Sequence, residues 1–188
     1  MQQQTMRIEY MPLSALLSLT WDGNPKDHAI TELQESLGRF GYVSPILLDE
    51  TTNKILAGHG RLESLSALKA SGQPAPDRVA EQDGEWLIPV VRGVHLSSDV
   101  DARAYVVADN KHVELGGWVQ ANLSTWLQEL QADGGSLLGT GFSEIEVNAL
   151  FEKFNAENLP SEFPEYTEEI AKEVKKVTCP HCGEEFVP

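Results

Sequence analysis

The residues best suited to chemistry are Gly58, His59, Gly60 and Arg61, set between the apolar run Lys54-Ile55-Leu56-Ala57 and a helical pattern that starts at Arg61. A strand that ends in a glycine turn and feeds a helix aims several backbone N–H groups at one spot, and the helix N-terminus adds about half a positive charge there. A phosphate group suits that geometry. The glycines admit a ligand to the backbone, Arg61 can fork two hydrogen bonds onto phosphate oxygens, and His59 offers a further donor. The same four residues also make an ordinary tight turn with a surface arginine, and that reading stays open. Neither G-x-x-x-x-G-K-[ST] nor G-x-G-x-x-G is matched, so a P-loop and a dinucleotide fold are not indicated.

A second candidate centre is Cys179-Pro180-His181-Cys182-Gly183, which holds the chain's two cysteines. Cys-x-x-Cys followed by glycine has the form of a zinc knuckle, the glycine freeing the turn so that both thiolates, Cys179 and Cys182, face one ion. Only half a site is present, because tetrahedral zinc takes four ligands and His181 is badly placed to be a third on the same ion. A zinc shared by two chains, a degenerate ribbon without metal and a redox pair are all compatible with the residues. The first makes the protein a homodimer, with the preceding acidic stretch as a tether.

These centres need elements to hold them. The chain of 188 residues suffices for one core and a small appendage, and 41% hydrophobic with 23% charged residues suits a folded protein. Ile8 to Leu16 reads as a strand running into a turn of helix. Ala29 to Phe40 carries Ile30, Leu33, Leu37 and Phe40 at helical spacing and stops at Gly41. Pro45 to Asp49 and Lys54 to Ala57 read as paired strands, Arg61 to Ala70 as a helix, and Trp86 to Val91 as another strand. Helices are expected over Ser98 to Glu114, Asn122 to Gln131 and Ser143 to Phe154, the last opened by a Ser143/Glu146 capping box. An acidic arm with Pro160 and Pro164 follows, helical from Thr167 to Lys176.

The formal charge of −15 argues against nonspecific DNA binding by the whole surface, since that affinity comes from lysine and arginine displacing counterions. Part of the acidity lies late: from Ser143 onward there are 11 acidic and 4 basic residues. No apolar leader opens the chain and no window is long enough to span a bilayer, so a soluble, cytoplasmic protein with no membrane association is expected.

Four ordered segments resemble one known family. Asn24-Pro25-Lys26 is similar to its Asn-Pro-Arg loop. Phe40-Gly41-Tyr42-Val43-Ser44-Pro45-Ile46 and Ala57-Gly58-His59-Gly60-Arg61-Leu62 match its central hairpin unit, and Ala108-Asp109-Asn110-Lys111 matches its Glu-Asn helix motif. Over residues 6 to 118 the chain resembles the N-terminal domain of ParB proteins and their sulfiredoxin relatives, in the short, often phage-encoded variety whose third motif reads Ala-Asp-Asn. The resemblance implies an α+β fold: a small mixed sheet with packed helices, followed by a helical extension and a short zinc-knuckle-like tail. The boundaries expected are 1–118, 119–155, 156–177 and 178–188.

It also implies a nucleotide site. Asn24, Lys26, Gly58, His59, Gly60, Arg61 and Asn110 would bind the phosphates of CTP or ATP, and Asp109 with Asn110 would place Mg²⁺, which asks little of the protein beyond a carboxylate and a neutral oxygen. For Asp109 and Asn110 a solvated helix face is the plain alternative. Asp109 and His59 are the candidate catalytic residues, His59 as general base in slow nucleoside triphosphate hydrolysis. Leu62 and Val113 stand where segregation-type ParB proteins carry arginines, and the late helices are too acidic for their DNA reader. His59 also takes the place of the cysteine that sulfiredoxin chemistry requires, which excludes that activity. The expected function is Mg-dependent nucleotide binding in a DNA-associated process, with DNA or a DNA-modifying protein as partner. The alternatives are a non-catalytic acidic adaptor or DNA mimic, and a metal-dependent nuclease.

Overall fold

A computed structural model describes residues 5–154, 177–178 and 181–186. They belong to two compact units, Met1–Leu150 and Phe151–Pro188. In the first, strands β1 (Arg7–Pro12), β2 (Ile46–Asp49), β3 (Lys54–Ala57), β4 (Ala80–Gln82) and β5 (Glu85–Val94) form one mixed sheet. Its order is β1-β5-β2-β3, with β4 hairpinned onto the start of β5. The spine is β5, antiparallel to β1 and parallel to β2.

Strand alternation sends neighbouring side chains to opposite faces, and the two faces carry different helices. Leu48, Ile55, Ile88 and Val90 enter the larger core, where they meet α1 (Leu13–Leu17), α2 (Ile30–Phe40) and α3 (His59–Ala70) through Leu13, Leu16, Leu37, Leu62 and Leu65. Burying Leu62 or Leu65 completely, as here, contributes about 2 kcal/mol each. Leu56 and Leu47 point the other way and pack with Ala102 and Val106 of α4 (Asp99–Gly116). Helices α5 (Gln120–Ala132) and α6 (Glu144–Phe154) follow. This is the α+β architecture, a small mixed sheet with packed helices, that the sequence leads one to expect.

Two acids lock the corner between β2 and β3 to the end of β5. Asp49 is fully buried; its Oδ2 accepts from the Thr52 N–H at 2.9 Å and the Thr52 hydroxyl at 2.7 Å, and its Oδ1 from the Leu96 N–H at 2.8 Å. Burial alone would raise its pKa, yet these hydrogen bonds outweigh it and hold the carboxyl below its ordinary value. Glu50 accepts from Arg92 Nε and Nη2 at 2.8 and 2.6 Å and from the Gly93 N–H at 2.9 Å. The Arg92 bond is the main reason its pKa sits at about 2, against the burial that opposes it.

The helix caps follow the sequence. Ser98 accepts the Asp101 N–H at the start of α4, and Ser143 and Glu146 bond reciprocally at the start of α6. Three details differ from expectation. Helix α3 begins at His59 rather than Arg61, because Gly58 already supplies the left-handed turn. Strand β4 pairs with β5 across Asp83-Gly84, a turn dipeptide whose flanking residues are too polar to signal a strand. In the second unit β6 (Val177–Thr178) and β7 (Glu185–Phe186) form a short antiparallel hairpin. The acidic arm up to Lys176, its expected helix from Thr167, and Cys179 lie outside the described residues. No described helix is long and apolar enough to cross a membrane.

Candidate functional site

The glycine turn is built by steric necessity. Gly58 has φ +104°, a conformation L side chains rarely adopt, and a Cβ there would stand 2.5 Å from Ile46 Cδ1. Directly after it α3 begins, with no side-chain cap and no acidic residue in its first turn to answer the positive helix end. At Gly60 a Cβ would come within 2.7 Å of His28 Cδ2 and 2.9 Å of Leu33 Cδ1. The sequence suggests a glycine that admits a ligand; the structure shows that the space beside it is taken by the His28 ring.

This turn opens on a cleft of about 450 Å³. Gly58, His59, Gly60 and Arg61 line one side, and Tyr105, Asp109 and Asn110 of α4 line another, with Ser44, Pro45 and His28 completing the wall. Six of the residues singled out from the sequence thus meet in one cavity, although some 50 positions separate the turn from Asp109.

Arg61 is the most telling. It is half-buried, its Nη2 makes a long 3.3 Å bond to the Pro45 carbonyl, and its Nε is buried with no partner. No carboxylate pairs with it among the described residues. A guanidinium partly withdrawn from water with no carboxylate beside it is a group that an anion would satisfy. Beneath it Tyr42 is buried; desolvation pushes its phenol up to about 12, with the Arg61 charge opposing the rise.

The α4 residues of the cleft offer oxygen. Asn110 donates its amide to the Val106 carbonyl at 2.8 Å, which leaves Oδ1 as its unspent group. Asp109 enters no salt bridge among the described residues. Its charge, after burial, holds the Tyr105 phenol above its ordinary pKa, so that Tyr105 stays a hydrogen-bond donor. One carboxylate and one amide oxygen fit a Mg²⁺ ion held chiefly by phosphates and water. Among the described residues no group of three His, Cys, Asp or Glu side chains could cage a metal alone.

The two histidines of the cleft differ. His59 is 5% exposed, its Nε2 is buried and unpartnered, and burial, with the neighbouring His28 second, lowers its pKa against the pull of Glu63. It is therefore neutral near pH 7. His28 lies more openly, its Nδ1 3.2 Å from Glu63 Oε2. Sequence reading passes over His28, Ser44 and Tyr105. A signal exists for each: His28 is three residues past Pro25, Ser44 precedes the first strand of the hairpin, and Tyr105 is one helical turn before Asp109.

Two predicted binding residues do not line the cleft. Lys26 is ion-paired with Glu114 at 3.0 Å and borders a separate hollow of about 150 Å³ that shares Asn110 with the cleft. Asn24 accepts the Lys26 N–H at 3.2 Å and borders a hollow of about 160 Å³ beside Trp21. In the second unit Cys182 is an exposed free thiol, and Gly183 after it has φ +77°.

No family model matches the chain. It is similar to the ParB-like nuclease domain-containing protein YnaK of Escherichia coli (strain K12), 34% identical over 74 residues that make up 38% of this chain and 82% of that protein.

Proposed function

Because the chain belongs to the ParB-like family, we propose that its cleft binds a nucleoside triphosphate with Mg²⁺, as part of a DNA-associated process of the phage or plasmid kind. The observation that carries this reading is the half-buried, unpaired Arg61 at the uncapped start of α3. A phosphate chain supplies the missing negative charge, accepts the first N–H groups of α3 and takes bonds from Arg61 and Tyr105. Bound Mg²⁺ neutralises phosphate charge and polarises the terminal phosphoryl group. Asp109 and Asn110 would hold it from α4, with water and phosphate oxygens filling its remaining positions.

The test is thermal melting with each of the four nucleoside triphosphates, with and without Mg²⁺. At a hundred times Kd the ligand adds about 2.7 kcal/mol, or roughly 5–10 °C for a unit of this size. Arg61→Ala is expected to abolish the shift, and no shift with any nucleotide in the wild-type protein sinks the proposal.

A second reading, the acidic adaptor, draws on the exposed apolar side chains of α4, α5 and the link between them: Trp118 at 65% and Trp126 at 70% exposure, with Val113, Leu115 and Val119 also exposed. An adaptor needs no turnover, so phosphate release with nucleotide separates the two. The relative's name carries a nuclease domain, and incubating the protein with supercoiled DNA and Mg²⁺ tests that activity here, with an Asp109→Asn control.

A further inference from the structure

Beside the glycine turn, the cleft carries a pairing that neither the motifs nor the family name assigns. His28 Nδ1 lies 3.2 Å from Glu63 Oε2. An ionised carboxylate only accepts, so the ring proton sits on Nδ1 and, in the neutral imidazole, Nε2 is left with its lone pair. The edge formed by Cγ and Cδ2 lies against Gly60, as the 2.9 and 2.7 Å distances from its virtual Cβ show. Nε2 is thus the ring nitrogen left free on a histidine that lines the cavity: it is not buried and has no hydrogen-bond partner among the described residues. The backbone is steadied too, since the His28 N–H donates to Asp27 Oδ1 at 3.0 Å.

His59, the histidine of the phosphate turn, is differently placed. Its Nε2 is buried without a partner, so that nitrogen is closed to water in the cleft, and no carboxylate orients the ring by a hydrogen bond among the described residues. Of the two, His28 is the histidine whose ring a carboxylate orients.

We propose that His28, oriented by Glu63, is the general base of a nucleoside triphosphatase in this cleft, an inference that rests on the nucleotide reading above. A water between His28 and the terminal phosphoryl group gives a proton to His28 Nε2 while its oxygen bonds to the γ-phosphorus. The bond from that phosphorus to the β,γ-bridging oxygen breaks, and the nucleoside diphosphate leaves with the electron pair. Inorganic phosphate and the nucleoside diphosphate are the products, and His28 returns its proton to solvent. Glu63 is a positioning residue: it fixes the tautomer and the plane of the ring. The small Gly60 is what lets that ring lie over the first turn of α3, within reach of an anion bound there.

The experiment combines three measurements on the full chain: the melting shift with Mg²⁺ and each nucleoside triphosphate, phosphate release under single-turnover conditions, and the same release with added imidazole. His28→Ala is expected to keep most of the melting shift, lose about a hundredfold in release rate, and recover part of it with imidazole. Glu63→Gln, which can still accept from Nδ1 but carries no charge, is expected to fall between. Wild-type protein that shifts but releases no phosphate overturns the inference and leaves the binding reading intact. So does His28→Ala that turns over within threefold of wild type, or one that keeps its shift but is not rescued by imidazole. A wild type that shows no shift with any nucleotide overturns the binding reading and this inference with it.

Discussion

Glu50→Gln probes how firmly the corner that carries β2 is clamped to β5. The Glu50 carboxyl falls from an ordinary 4.5 to about 2, chiefly through its bonds from Arg92. At about 1.4 kcal/mol for each pH unit that is a ceiling of about 3 kcal/mol, which partial screening trims to about 2 kcal/mol. The folded-state pKa is depressed, so the stabilisation is fully present above the unfolded value and is lost as pH falls through the folded one. The window therefore runs from pH 4.5 down to 2. Denaturant melts of wild type and variant across pH 7 to 2 should show a gap of about 2 kcal/mol at neutral pH, or roughly 4–8 °C in Tm. That gap should close through the window. Asp49 also titrates from below its ordinary value, but it does so in both proteins and drops out of the difference. A gap that stays constant with pH would show that Glu50 acts through packing, and the electrostatic account of the corner would be wrong.

Gly60→Ala sets helix propensity, worth about 1 kcal/mol in favour of alanine, against overpacking on His28 and Leu33, worth about 1–3 kcal/mol. A net loss of about 1 kcal/mol in urea unfolding and a smaller nucleotide-induced melting shift are expected, and a stabilised variant would mean the His28 ring yields easily. For the tail, the β6–β7 hairpin and the left-handed Gly183 after Cys182 are what a knuckle turn requires. Two copies sharing one ion predict about half a zinc per chain by elemental analysis and a dimer by light scattering. Both are expected to vanish in Cys182→Ser, and metal-free wild-type protein refutes the sharing.

Most of the fold was legible because its elements carry local signals. Apolar spacing marks α2, and the paired runs on either side of Glu50–Asn53 mark β2 and β3. Reciprocal bonds between Ser143 and Glu146 are a local device that needs no tertiary knowledge. What escaped is pairing that depends on distant partners. Strand β4 is exposed throughout and polar, and it exists because the Asp83-Gly84 turn lays it along β5. Nothing in Asp49-Glu50 says that these acids serve Leu96 and Arg92, more than 40 residues away.

The site divides along the same line. Gly58 and Arg61 could be read from the strand-to-helix turn because neighbours in sequence define it, whereas the direction in which each histidine faces is a tertiary property. His59 stands inside the motif with its Nε2 buried; His28 stands outside it, in the loop before α2, and is laid onto the turn by the room Gly60 leaves. A motif therefore identifies the backbone that can hold a phosphate without identifying the side chain that can act on it. In this chain the second assignment depends on a contact between residues 28 and 63, and the substitution of either partner reports on it without touching the glycine turn itself.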